Sequence, residues 1–264
     1  MKDLLQHLKA KERRGSKPRC HLLMHGSAEG VADRITALAA PFAYVSASDR
    51  WMPQGFDDIK EAQLNRAPRL IDPEISEQLT AWWLAPASRR SRTPNFDIAS
   101  SCMIEGKPGL LLIEAKAHDE ELNKEVNGRK LAFNSSHDRK ASHETIAAAI
   151  ANAREGLEKA TSLRWFISRD SHYQMSNRFA WAWKLTEFGI PIILVYLGFL
   201  KAEEMVDQGK PFANYSEWEQ LVKAHSESLF PYDVWGQRWV VNGQPFIPLI
   251  QSIEQPLTFE EART

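Results

Sequence analysis

Three side chains pose the chemical question. Asp97 follows Pro94-Asn95-Phe96, and Glu114 and Lys116 close the apolar run Leu110-Leu111-Leu112-Ile113. Two apart on a strand, Glu114 and Lys116 point to the same face. Charges at the end of a buried strand are costly unless they pair or coordinate something. A turn over residues 106–109 (Gly-Lys-Pro-Gly) folds this strand back on the one that begins near Asp97. Two carboxylates and an ammonium then share one end of a hairpin. Two carboxylates with few other ligands suit Mg²⁺ or Mn²⁺, hard ions that keep waters and accept phosphate oxygens. Such an ion acidifies a bound water and offsets charge on a scissile phosphate. A lysine beside it can orient the attacking water and stabilise developing charge. The set suits phosphodiester hydrolysis better than acyl transfer or redox chemistry.

The elements that must position these groups are legible around them. Residues 29–40 have helical spacing of Val31, Ile35, Leu38 and Ala39. Residues 1–15 read as an exposed helix, and 41–72 carry only a weak pattern. Asp72-Pro73-Glu74 opens a helix with an N-cap, a first-turn proline and an acid on the dipole. Strands follow at 96–104 and 110–117. The charged segment 118–139 reads as mobile, and Ser142 as the cap of the next helix. A second helix covers 173–188, stopped by Gly189 and Pro191. The run 190–200 (IPIILVYLGFL) reads as a buried strand, being about half a membrane span. A helix at 216–228 and a short β element at 239–247 complete the chain. This order predicts an α/β or α+β domain with a mixed sheet and packed helices.

Asp97 followed by a strand ending Glu114-Ala115-Lys116 resembles the PD-(D/E)xK, restriction-endonuclease-like signature. The resemblance spans residues 74–200, including the preceding helix and the helix–strand after it. In this sequence Phe96 stands before the aspartate where the family commonly has proline. The resemblance implies a nuclease-like core at 71–205, with helical additions at 1–70 and 206–264, the latter packed on the core. It implies Asp97 and Glu114 as Mg²⁺ or Mn²⁺ ligands, with the Ala115 carbonyl as a further donor, and Lys116 as the water-positioning group. A helix acid would add a ligand: Glu77 is the first choice, Glu74 the second and Glu61 a distant third. On the later helix, Gln174 and Arg178 share a face. Gln174 would support the site and Arg178 clamp phosphate. The implied partner is nucleic acid, DNA before RNA, and a homodimer is one arrangement such proteins use. A catalytically inactive member of the same fold, serving as a binding or scaffold module, is the alternative.

Composition bounds these readings. At 264 residues, 43% hydrophobic and 25% charged, the chain can bury a substantial core without disulfides. A net charge of −1 gives no global nucleic-acid signal. The local signals are the basic first twenty residues and Arg89, Arg90 and Arg92 just before Asp97. Cys20 and Cys102 form no CxxC pair, and no long apolar core follows the basic N-terminus. A cytoplasmic setting without a membrane partner is therefore expected. His118-Asp119 and His137-Asp138 resemble the HD phosphohydrolase signature, which requires a helical domain. No phosphate-binding glycine loop or Gly-x-Ser-x-Gly elbow occurs.

Overall fold

A computed structural model describes residues 2–67, 70–86, 93–132 and 134–257. The chain opens with α1 (Lys2–Leu5), α2 (Ser16–Leu23) and α3 (Ala28–Ala39). Short strands β1 (Ala43–Tyr44) and β2 (Trp51–Met52) follow, then α4 (Pro73–Trp83). The hairpin β3 (Ile98–Ile104) and β4 (Lys107–Lys116) leads into α5 (Glu120–Asn123), α6 (His137–Thr161) and α7 (Tyr173–Glu187). The last elements are β5 (Ile192–Leu200), α8 (Tyr215–Ser226), β6 (Trp239–Val241) and β7 (Gln244–Glu254).

Local chemistry sets several boundaries. Ser27 caps α3 through Gly30 N–H, Asp72 caps α4 through Glu74 N–H, and Ser136 caps α6 through Arg139 N–H. Gly189, at φ +79°, ends the α7 region in a conformation glycine adopts without strain.

The sheet runs β1-β3-β4-β5-β7-β6, with β2 also paired to β3. β4, β5 and β7 are parallel to one another, whereas the remaining pairings are antiparallel. Alternation along the strands divides the core. Leu110, Leu112, Ile192, Leu194 and Tyr196 face α4, α6, α7 and α8. Leu111, Ile113, Ala115, Ile193 and Val195 face α2 and α3. Both faces of β4 and β5 are thus covered, which is why these strands read as continuous apolar runs. Trp83, Trp165, Trp181 and Trp218 are fully buried in the first of these layers.

The structure differs from the sequence reading in five places. The hairpin turns at Glu105-Gly106, both at positive φ, and β4 already includes 107–109. Gly109 lies within that strand because a Cβ there would come 2.7 Å from the Pro191 carbonyl oxygen. α6 starts at His137, and Ser142 is buried inside it. The charged segment 118–139 is partly folded, with α5 and a 3-10 turn at Lys124–Asn127 that send Leu122 and Glu125 inward. At the N-terminus only Lys2–Leu5 is α-helical, and Leu5 and Leu8 are buried against Phe56.

The fifth difference concerns the three-part division at 70 and 205. β7 is an interior strand between β5 and β6, so residues 206–264 are not an addition outside the core. β1 and β2 extend the same sheet, and α2 and α3 cover its second face. One apolar strand, β5, needs a partner on each side, and only β7 supplies the second. No helix among the described residues is long and apolar enough to cross a membrane. The seven-stranded sheet also departs from the all-helical domain that the HD reading required.

Candidate functional site

In the hairpin Ile98 pairs with Ile113, so Asp97 and Glu114 stand side by side where the two strands end. Asp97 Oδ2 accepts a 2.7 Å hydrogen bond from Ala115 N–H, which pins the carboxylate against β4. Glu114 and Lys116 continue the face of Leu110 and Leu112 and point toward α7. They are only 1% and 4% exposed.

Glu114 is held on every side. Its Oε1 lies 2.6 Å from Lys116 Nζ and accepts from Gln174 Nε2; its Oε2 accepts from Arg178 Nε at 2.6 Å. Gln174 and Arg178 are one turn apart on α7, which is how one helix face reaches both carboxylate oxygens. Gln174 Oε1 also accepts from Lys116 at 3.1 Å. The Arg178 guanidinium lies 4.8 Å from the Phe96 ring centre and donates to Asn177 Oδ1 at 2.6 Å. Arg178 is thus buried behind Glu114 and orients it, instead of standing at the surface as a phosphate clamp.

A second carboxylate meets Lys116 from the far side. Glu125 Oε1 is 3.0 Å from Nζ, and its Oε2 is 3.4 Å from His225 Nε2 at the end of α8. The His225 ring contacts His172 edge-on, 4.5 Å between centres, just before α7 begins. Tyr196, the register partner of Glu114 on β5, has a fully buried hydroxyl without a hydrogen-bond partner among the described residues.

The cluster contains three carboxylates (Asp97, Glu114 and Glu125) and two permanent cations (Lys116 and Arg178). The surplus negative charge falls on Asp97. Its carboxyl is pushed up to about 8, first by burial and then by the Glu114 charge beside it, with Lys116 and the Ala115 N–H pulling the other way. Burial works against the Lys116 ammonium, but Glu114, Glu125 and Asp97 hold its pKa above the ordinary lysine value. Burial likewise opposes the Arg178 charge, and Glu114 more than restores it. Glu125 is desolvated too, yet Lys116 and His225 keep its carboxyl below the usual range.

The other sequence candidates fall elsewhere. Glu77 is exposed on α4, where it lines a concavity with Asn65, Ser76 and Thr80, and Glu74 is exposed on the first turn. The structure does not bring Glu77 to Asp97, because α4 turns its Leu79 and Trp83 inward and leaves residue 77 on the outer side. The acid that acts on Asp97 from outside the hairpin is Glu61, which also pairs with Lys17 at 3.2 Å and accepts from Asn95 at 3.1 Å. Arg89, Arg90 and Arg92 lie outside the described residues. Part of the N-terminal basic run is engaged within the fold, while Lys9, Lys11 and Arg13 are exposed. Arg19 is buried on Glu204, Arg14 pairs with Asp207, Lys17 with Glu12 and Glu61, and Arg13 donates to the Leu8 carbonyl. Glu125 escaped the sequence reading because it sits in a charged segment without periodicity. Tyr196 left one trace, a lone phenol in an otherwise apolar strand.

Among the described residues, no group of three or more His, Cys, Asp or Glu side chains is placed to hold a metal ion. The pair Asp97–Glu114 fits a single hard cation on charge. Asp97 is an uncompensated carboxylate, and such a cation would relieve it. Glu114 fits it only by releasing one of its present partners. Comparisons with protein-family models, with curated proteins and with solved structures return no match.

Proposed function

We propose that this chain is a metal-dependent nuclease that hydrolyses nucleic-acid phosphodiester bonds, DNA before RNA. The observation that supports it most is the surplus carboxyl at the strand ends: burial and the Glu114 charge oppose the ionisation of Asp97, which stands beside a glutamate and a lysine and would ionise readily only with a further cation at hand. A Mg²⁺ or Mn²⁺ ion bound by Asp97 and Glu114 would supply an acidified water and charge neutralisation at the phosphate. The chain's own groups do the rest. Ala115 N–H fixes the orientation of Asp97. Arg178 and Gln174 hold Glu114, and Gln174 also steadies the lysine. Lys116, kept as an ammonium by its carboxylate neighbours, would donate to the attacking water by releasing one of its present partners, Glu114, Gln174 or Glu125. The apolar layer behind the cluster excludes bulk water and strengthens each of these interactions.

The test is cleavage of labelled DNA and RNA with Mg²⁺ or Mn²⁺ by wild type, Asp97→Ala and Lys116→Ala. Each substitution should lower the rate by about a thousandfold, within the range for a lost acid–base or electrostatic group. Full activity in both variants would sink the reading.

One observation favours a second reading, an inactive nuclease-type module. Both Glu114 oxygens are already taken by Lys116, Gln174 and Arg178, an arrangement that is stable without a metal. Calorimetric titration of Mg²⁺ and Mn²⁺ separates the two. Metal uptake by wild type, lost in an Asp97→Ala/Glu114→Ala variant and accompanied by cleavage, supports the enzyme. Binding of nucleic acid without cleavage supports the module.

A further inference from the structure

Along the β2 edge of the sheet the surface carries a groove of about 240 Å³ walled by Arg50, Trp51, Gln54, Asp58, Lys60 and Arg66. Its relation to the candidate site follows from pairing. β2 leaves β3 at Met52, opposite Ala99, and the chain rejoins the same edge where Ala62 bridges Phe96. Asp97 lies in the interval, so the segment 53–61 that lines the groove arches past it.

Arg50 and Arg66 are exposed and have no side-chain hydrogen bond or ion pair among the described residues. Among the described residues Lys60, 78% exposed, reaches only Asp58, at 3.8 Å. Three cations thus face one carboxylate. Trp51, partly buried against the core, lines the same groove and has no ring partner among the described residues. Cations spaced along a groove with an aromatic wall are what a single polynucleotide strand needs: phosphates on the guanidinium and ammonium groups, a base against the indole. Arg50 and Arg66 present planar forks suited to phosphate.

We infer that this groove binds one strand of the nucleic acid and feeds its backbone to Asp97, with Arg50, Lys60 and Arg66 on phosphates and Trp51 on a base. The inference deepens the nuclease reading and depends on it only for the identity of the polymer. Recognition of this kind is sequence-tolerant and salt-dependent.

The experiment is fluorescence anisotropy of a labelled oligothymidylate of about 16 nucleotides, long enough for one strand site. It is run in EDTA across a salt series, so that no cleavage is needed. Wild type, Arg50→Gln/Arg66→Gln, Arg50→Lys/Arg66→Lys and Asp97→Asn are compared. Losing two single-strand phosphate contacts should flatten the log K against log salt slope by about 1.4 and weaken binding roughly twentyfold at about 0.1 M salt. The lysine pair keeps both charges and should keep the wild-type salt slope, and Trp51→Ala should weaken binding roughly tenfold, as loss of one stacked base does. Equal affinity and slope in wild type and the glutamine pair would overturn the groove, as would a wild type that binds no oligonucleotide. Displacement of the strand by millimolar inorganic phosphate alone would also overturn it, reducing the feature to a small-anion pocket. Retained binding by Asp97→Asn, with binding lost in the glutamine pair, supports the groove even where no variant cleaves. Cleavage lost in Asp97→Asn but untouched in the glutamine pair leaves the nuclease reading standing and the groove overturned.

Discussion

Two buried ionic clusters in this protein are built on different terms. At one end Arg19 of α2, 1% exposed, pairs with Glu204 through its two terminal guanidinium nitrogens, Nη2 at 2.9 Å, and donates from Nη1 to the Gly15 carbonyl at 3.0 Å. One cation meets one carboxylate, and the effect is to lock α2 to the turn at Glu203–Met205. At the strand ends, three carboxylates meet two cations, and the excess is left on Asp97. Burying charge is expensive, and a structural cluster offsets the expense by balancing it on the spot. A cluster that stays unbalanced is stable only because surrounding contacts hold it. That imbalance marks a place for a ligand more sharply than the presence of charged residues does.

Substitutions in the two clusters should differ in size and in sign. The largest effect belongs to Glu114→Ala, which leaves Lys116 and Arg178 buried without the carboxylate they share. A loss of about 3–5 kcal/mol is expected, seen as a melting point lower by roughly 10 °C in scanning calorimetry. A loss under about 1 kcal/mol would mean the cations turn to solvent and the cluster is not rigid. Next comes Arg19→Ala. Glu204 reaches solvent on one side, so about 2–3 kcal/mol should go, and added Mg²⁺ should not alter the difference. A Mg²⁺-dependent difference would erase the distinction between the clusters.

The smallest effect has the opposite sign. Asp97 in the unfolded chain ionises near the ordinary 3.8, and in the folded chain near 8. Between these values the native state holds a proton the unfolded state has lost. Asp97 therefore subtracts from stability increasingly as pH rises from about 4 to 8. Asp97→Asn should melt above wild type at pH 8, by about 1–2 kcal/mol once partial solvent access is allowed for, and the gap should close toward pH 4. Added Mg²⁺ at pH 8 should raise wild type and spare the variant. Glu204 behaves the other way: burial opposes its charge, but Arg19 holds its carboxyl below the ordinary value. Its contribution is present at neutral pH and disappears as acid titrates it. A wild type whose stability does not fall, relative to Asp97→Asn, as pH rises from about 4 to 8 would remove the claim that Asp97 is uncompensated.

Much of this frame was legible in the residues. The apolar runs of β4 and β5, the Asp72 cap of α4 and the stop after α7 all have local causes, and local causes leave local signals. The hairpin was legible although its turn came earlier than Gly106-Lys107-Pro108-Gly109 suggested, because strand ends shift together when a turn moves. The place of β7 was not legible, since nothing in residues 244–254 says that a parallel partner lies some fifty positions back; that pairing follows from the unmet edge of β5. The N-terminal basic run shows the converse error. Its composition read as surface, and the fold turned Arg19 inward to meet Glu204.

What the sequence by itself determined is the meeting of Asp97, Glu114 and Lys116, because strand alternation and hairpin closure are properties of one short stretch of chain. The tertiary structure alone decided their electrostatic state. Glu125 comes from a turn after α5, Arg178 and Gln174 from α7, His225 from α8 and Glu61 from the loop before α4. Charge compensation is a sum over everything nearby in space, and no spacing along a chain encodes that sum.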